Sequence, residues 1–304
     1  MKIEDRINTV SKYYKAKYGF RVFKLGLSTG IECPKRAEGS ECYFCVRDTF
    51  TDDVVARHNA SLPVQKQIDY MIQKLMPKVR AGGYIAYFQD GTSFYGEKDY
   101  LLSTFREADS HPQVLELIVS TRPDYISEEL LDTLGQLKKP LTIEVGIQSA
   151  NDGALLFLNR GHKHVDNQSA IEKLVKYNYK IGVHIMLGVP GERVEDVLKT
   201  AEFINENKRI NDVKIHHLAV FRGSRLAEIM EPAHMIDLDS YIRLLSLFIS
   251  NLREDLTVSR LFTSNLNRHQ TMLNDFPGIK RMWLNRFEEY LNDNNVFQGK
   301  ELKA

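Results

Sequence analysis

The sequence predicts an α/β fold of parallel βαβ units, on three observations. Short β-branched and apolar runs alternate with segments of helical periodicity, and glycine, proline and short polar residues follow run after run. The units number roughly six, fewer than a complete eight-unit barrel needs. Together these describe roughly six parallel βαβ units with right-handed crossovers, followed by a helical C-terminal extension.

Residues 1–20 set Lys12, Lys15 and Lys17 among Tyr13, Tyr14, Tyr18 and Phe20. They read as a short amphipathic helix packed on the main body, in preference to a basic, stacking arm for nucleic acid. A first strand at 22–28 delivers the chain into a loop that holds Cys33, Cys42 and Cys45. Pro63 opens a helix on which Val64, Ile68, Met71, Ile72, Leu75, Met76 and Val79 recur at helical spacing, and Gly82-Gly83 stops it. Strands follow at 84–88, 115–120, 141–147, 180–187 and 213–221. Helices at 127–138, 166–177 and 194–207 lie between them, the first with acidic residues in its opening turn. After Phe221 the alternation is expected to end. Residues 236–256 form a helix with Ile236, Leu238, Tyr241, Leu244, Leu245, Phe248 and Leu252 on one side, and the tail through Trp283 is helical and polar.

With 304 residues and 43% hydrophobic content the chain can bury one full core and an appendage. A net charge of +1 compels no acidic partner. The first residues are charged and lack the apolar run of a signal peptide, and no stretch approaches the about 20 apolar residues that span a bilayer. The expectation is a cytoplasmic protein without a membrane partner, in a compartment that keeps thiols reduced.

All three cysteines lie within residues 31–45, Ile-Glu-Cys-Pro-Lys-Arg-Ala-Glu-Gly-Ser-Glu-Cys-Tyr-Phe-Cys. Three thiols cannot all pair, and clustering of this kind points to metal binding. A closed zinc site wants four ligands; there is no second Cys-x-x-Cys, although His58 could supply the fourth. Iron–sulfur clusters are held by thiolates, and three of them leave one iron open to a small molecule. On the residues alone both metals stay open.

The Cys-x8-Cys-x2-Cys run, with Phe44 before its last cysteine, resembles the cluster loop of radical S-adenosylmethionine (SAM) enzymes. It is most similar to the branch with a widened first gap, shared by YtqA/YhcC-type proteins and the catalytic subunit of Elongator. The resemblance implies a partial TIM-like barrel in which Cys33, Cys42 and Cys45 hold a 4Fe-4S cluster whose fourth iron binds SAM. In parallel α/β folds, functional groups gather at the carboxyl ends of strands. Gln89, Asp90, Gly91 and Thr92 stand where the family places the loop that meets the SAM amino group, without the usual two glycines and glutamate. Glu144, Gln148 and Ser149 resemble its ribose- and carboxylate-facing strand, pointing inward. The stretch from Val183 through His184 and Gly188 to Glu192 resembles its adenine wall, although a lone histidine is more often a satisfied core residue. Thr121-Arg-Pro-Asp124 is a signature of the same branch, or a turn with Asp124 or Ser127 capping a helix. Arg160-Gly-His162 recurs in the branch, and with Lys163 and His164 it suits a phosphate or carboxylate. Of His216 and His217 only one can face the cavity, because adjacent strand residues point to opposite sides.

The resemblance divides the chain into an arm at 1–20, a core at 21–255 and an extension at 256–304, with no second domain of the Elongator kind expected after it. It implies reductive cleavage of SAM to a 5′-deoxyadenosyl radical, driven by a reductant such as flavodoxin or ferredoxin. By analogy with Elongator the expected substrate is tRNA, modified at a wobble uridine, with Lys35, Arg36, Arg47, Arg160 and Lys163 as a cationic rim. The alternatives are a radical SAM enzyme acting on a small molecule or a protein, and a non-catalytic, zinc-stabilised nucleic-acid-binding module.

Overall fold

The computed structural model describes residues 1–46, 62–75, 80–231, 234–263 and 276–302. Seven parallel strands form one sheet: β1 (Val22–Leu27), β2 (Gly83–Phe88), β3 (Val114–Thr121), β4 (Leu141–Gln148), β5 (Lys180–Leu187), β6 (Ile210–His217) and β7 (Thr257–Arg260). Each strand pairs with the next in sequence. Every connection thus moves one strand over, and the sheet curls into an open half-barrel with helices on its convex side. The parallel βαβ units are those the sequence pattern predicts, and the partial (β/α) barrel they form is the one the family resemblance implies.

The sheet has seven strands where the pattern gives six. The seventh, Thr-Val-Ser-Arg, is too short and too polar to announce itself, and it pairs Thr257 with Asp212, Val258 with Val213 and Arg260 with Lys214. The alternation therefore continues past Phe221. Strand β6 begins earlier than expected because Ile210 pairs with Ile181, and it ends at His217. The helix expected over 127–138 is Glu128–Leu134, capped by Ser127, whose hydroxyl accepts the Leu130 N–H. The helix expected over 236–256 is Leu238–Ser250, capped by Asp237.

Strand alternation sorts side chains onto two faces. Leu25, Phe88, Val119, Ile143, Val145 and Ile185 lie fully buried on the convex face, beneath Val64–Leu75, Lys98–Ser110, His164–Val175, Val194–Glu206 and Leu238–Ser250. Each such side chain contributes about 1.5–3 kcal/mol. The concave face carries Lys24, Tyr87, Ser120, Glu144, His184 and Lys214, which are joined in one hydrogen-bonded network.

The amino-terminal segment is a packed helix, the favoured reading of its sequence. Val10–Tyr18 is capped by Thr9 and ended by Gly19 in the left-handed region, and it lays Tyr14 on Ile85, Tyr87 and Ile118 of the concave face. Asn8 accepts the Val258 N–H, which ties this segment to β7. The carboxyl-terminal helix Lys280–Asp293 buries Trp283, Phe287 and Leu291. Among the described residues no helix is long and apolar enough to cross a membrane.

Candidate active site

The loop after β1 is shaped by local hydrogen bonds that place its sulfurs. Cys33 precedes the short helix Pro34–Ala37, and its carbonyl accepts the N–H groups of Arg36 and Ala37 at 3.0 and 3.2 Å. Cys42 and Cys45 close a tight turn in which the Cys45 N–H donates to the Cys42 carbonyl at 2.9 Å. Backbone bonds between Tyr43 and both Leu158 and Leu226 tie this turn to the ends of two other elements. Phe44 packs with Met186, Val189, Leu218 and Val220. All three cysteines are free thiols, and all three border one cavity at the carboxyl edge of the sheet.

Three guanidinium groups face the sulfurs. Arg36 donates to Cys45 Sγ at 3.0 Å, Arg160 to Cys42 Sγ at 3.2 Å and Arg122 to Cys42 Sγ at 3.5 Å. Arg122 is held by a bidentate bond to Asp124, 2.9 Å at each arm, and by the Arg160 carbonyl. Burial pushes the Cys45 thiol up to about 11, against the pull of Arg36. Gly91, in the left-handed region, brings the loop after β2 against Cys33, where an added Cβ would stand 3.2 Å from the cysteine's own. Among the described residues no three His, Cys, Asp or Glu side chains converge on a single-ion site. The donors instead border a cavity mouth ringed with positive charge, which fits thiolates around a group larger and more anionic than one ion. His58 and Arg47 lie outside the described residues.

Of the residues assigned by resemblance to SAM, Phe44, Gln89, Asp90, Gly91, Gln148, Arg160 and His184 border this cavity. Five others do not. Thr92 lies beneath the loop, its hydroxyl 2.9 Å from that of Thr121 and accepting the Arg122 N–H at 3.2 Å. Glu144 is one step deeper on the concave face, accepting from Tyr87 and His184. Ser149 does not point inward with Glu144 and Gln148: Gln148 adopts a φ of 62° that ends the strand, and the Ser149 hydroxyl turns to Glu192 at 2.5 Å. His162 is buried with neither ring nitrogen hydrogen-bonded, its pKa brought down to about 3 by burial and by Arg160 and Arg122. Gly188 has a φ of 82° and stands against Ile236, 2.9 Å from an added Cβ.

Several cavity residues escape the sequence reading. Tyr87, Ser120, Lys214 and Arg260 border it, and Arg122 does so from within a stretch also legible as a mere helix-capping turn. Their signal was parity: a charged residue within an apolar strand, as in Lys214 or Lys24, marks the concave face. His216 shares the inward parity of Lys214, its ring 5.6 Å from that of His184. His217 turns its ring onto Phe276, Tyr241 and Trp283, as alternation requires, although both histidines touch the cavity's edge. Glu144 organises the floor. Burial by itself would raise its pKa, but Lys24, Lys214 and His184 hold it well below the usual carboxylate range.

The Radical SAM superfamily profile matches residues 28–204. Protein YhcC of Escherichia coli (strain K12) is 28% identical over 313 residues, covering 99% of this chain and 97% of that protein. The tRNA uridine(34) acetyltransferase of Methanocaldococcus infernus is 34% identical over 115 residues, 37% of this chain and 21% of that one. In fold, the chain is similar to the archaeal Methanocaldococcus infernus Elp3 with an N-terminal deletion, at a TM-score of 0.69 and 18% identity, over 91% of this chain and 64% of that one. With a profile match over more than half of its length and a relative alike from end to end, the chain belongs to the radical SAM superfamily of enzymes, in its YhcC-type branch.

Proposed function

We propose that Cys33, Cys42 and Cys45 hold the 4Fe-4S cluster that membership of the family implies, and that the cavity beside them takes SAM. The observation that carries this is the meeting of all three thiols with three guanidinium groups at one mouth of the half-barrel. Bound there, cluster and SAM supply reductive cleavage to methionine and a 5′-deoxyadenosyl radical. The chain's own groups do the rest. Arg36, Arg122 and Arg160 set positive charge against sulfurs that must be anionic to act as ligands. Gln89, Asp90 and Gly91 offer backbone and short polar groups to an ammonium, and Arg160 and Gln148 offer donors to a carboxylate or ribose. Phe44, Met186 and Ala219 form an apolar wall that excludes water.

The proposed substrate is tRNA, modified at a wobble uridine, with a reduced protein such as flavodoxin or ferredoxin as electron donor in a reducing cytoplasm. Its support is the likeness of part of the chain to an enzyme named for acetylating uridine 34 of tRNA. Two measurements test the two levels separately. Anaerobic reconstitution with iron and sulfide, followed by a 5′-deoxyadenosine assay, is expected to give a brown protein that cleaves SAM; colourless, zinc-loaded chain without cleavage overturns the cluster assignment. Comparison of the nucleosides of bulk tRNA from a deletion strain and its parent is expected to show one missing modification, and identical profiles overturn the tRNA assignment.

A further inference from the structure

The two ends of the cavity treat positive charge differently. Among the described residues the guanidinium groups at the mouth, of Arg36, Arg122 and Arg160, each hold a sulfur, and the last two also hold Asp124 or a carbonyl. Among the described residues the carboxylate nearest the floor is Glu144, one step beneath it, and its oxygens are already occupied. Oε1 meets Lys24 at 3.3 Å, and Oε2 accepts from Tyr87, His184 and Ser120 at 2.7, 2.6 and 3.3 Å. Lys214 donates to the Tyr87 hydroxyl and stands 3.9 Å from the same carboxylate. Asp212, the next acid, is on the far side of this layer with its Oδ1 taken by Ser259. Arg260, at the end of β7, borders the cavity and has no hydrogen-bonded or ion-pair partner among the described residues.

A half-buried guanidinium beside a second cation, offset only by the charge it shares with Glu144 and by Tyr87, completes itself with an anion when one is supplied. The surrounding groups feel the excess. Burial and the charge of Arg260 both push Lys214 down, to about 7, and His216 lies well below its ordinary value from the same two causes.

We infer that Arg260, with Lys214 and His216, is the docking point for an oxyanion of the substrate, a carboxylate or a phosphate, on the β6–β7 side of the cavity floor. This deepens the proposed function and rests on it in one respect, that the cavity is where the substrate meets SAM. The SAM carboxylate is not the guest, because the proposed function seats it at the thiol-lined mouth, with Gln148, away from Arg260. The oxyanion of the substrate therefore sits at the floor, and the position attacked lies between it and the mouth.

Trp283, the chain's one tryptophan, packs on His217 and Phe262 beside this corner and provides a fluorescence readout. The cluster-loaded enzyme is titrated with inorganic phosphate and with malonate, with and without saturating SAM. Saturable binding that SAM does not compete away is expected, at least tenfold weaker in Arg260→Gln and largely kept in Arg260→Lys, with SAM affinity the same in all three. Equal anion affinity in Arg260→Gln overturns the inference, as does competition by SAM or a loss of SAM binding in that variant. The thermal midpoint of Arg260→Gln is expected to equal or exceed the parent's without added anion; a fall would make the arginine a structural element and overturn the inference too. Tighter binding of phosphate assigns the group to a nucleotide, tighter binding of malonate to a carboxylic acid. Should the parent fail to cleave SAM, the proposed function falls, while the anion titration still reads the pocket.

Discussion

The convex and concave faces of this sheet are made from the same strands by the same alternation, yet they hold opposite contents. Ile143 and Val145 on β4 are sealed under helices; Glu144 between them meets lysine, tyrosine and histidine. A complete barrel fills its interior with layers of branched aliphatic side chains. This half-barrel leaves charged groups there, matched with one another below and incompletely matched above. The convex face therefore sets stability and the concave face sets chemistry, and substitutions at adjacent residues should separate the two.

The largest separation lies at the mouth. Cys42→Ala is expected to abolish iron retention and 5′-deoxyadenosine formation altogether while leaving the circular dichroism of the apo chain unchanged, because Cys42 contributes little to the large convex core. Iron content and anaerobic product assay check it, and retained cleavage would remove Cys42 from its role.

Next come the neighbours on β4. Ile143→Ala should cost about 2–5 kcal/mol in denaturant unfolding through the cavity it leaves, with SAM cleavage per folded molecule preserved. Glu144→Ala should cost a similar amount, about 3–5 kcal/mol, for a different reason: Lys24 and Lys214 lose the carboxylate that neutralises them. The two diverge in repair. Added anion is expected to restore part of the stability of Glu144→Ala and none of that of Ile143→Ala; equal responses would erase the distinction between the faces.

What could be read from the sequence follows the same division. The strands were legible because convex and buried residues make apolar runs, as in Lys180–Leu187, whose bounds coincide with the pattern. The thiol loop was legible because cysteine is scarce and its spacing is local. Strand β7 was not, since Thr257–Arg260 is a strand only by virtue of β6 and Asn8 beside it. Lys214 and Arg260 were illegible as a pair for a related reason: they meet through a register between strands, and a sequence carries no direct record of register. Ser149 does not join Glu144 and Gln148 because it has the opposite parity to both and lies past the end of the strand at Gln148.

The pH dependence of stability sharpens the comparison, because convex residues such as Ile143 carry no titrating group. Burial lowers Lys214 from an ordinary 10.5 to about 7, Glu144 opposing and Arg260 assisting. Between those two values the unfolded chain binds a proton that the folded chain lacks, so stability rises with pH across that window, by up to about 1.4 kcal/mol per unit. Below about pH 7 the cost of the buried ammonium is present in full. Lys214→Met is expected to flatten the rise from pH 7 to 10 in chemical denaturation, and an unchanged slope would show that the ammonium is not strained.

The smallest expected effect lies where the two regimes touch. Arg36 comes from the thiol loop itself, and among the described residues its side-chain hydrogen bond is the 3.0 Å bond to Cys45 Sγ, unlike Arg122 and Arg160, which also hold backbone or Asp124. Losing it should leave the fold intact and weaken cluster retention by about tenfold, the low end for groups that support a metal ligand from behind. Arg36→Met is then expected to release iron to a chelator about ten times faster than the parent, with Arg36→Lys between them. The same substitution at Arg122 should also disturb the turn that Asp124 braces, lowering the melting temperature as well as cluster lifetime. If Arg36→Met destabilised the apo chain just as much, charge at the mouth would be serving the fold, and the contrast between the mouth and the convex core would fail at the place where it is most exposed to test.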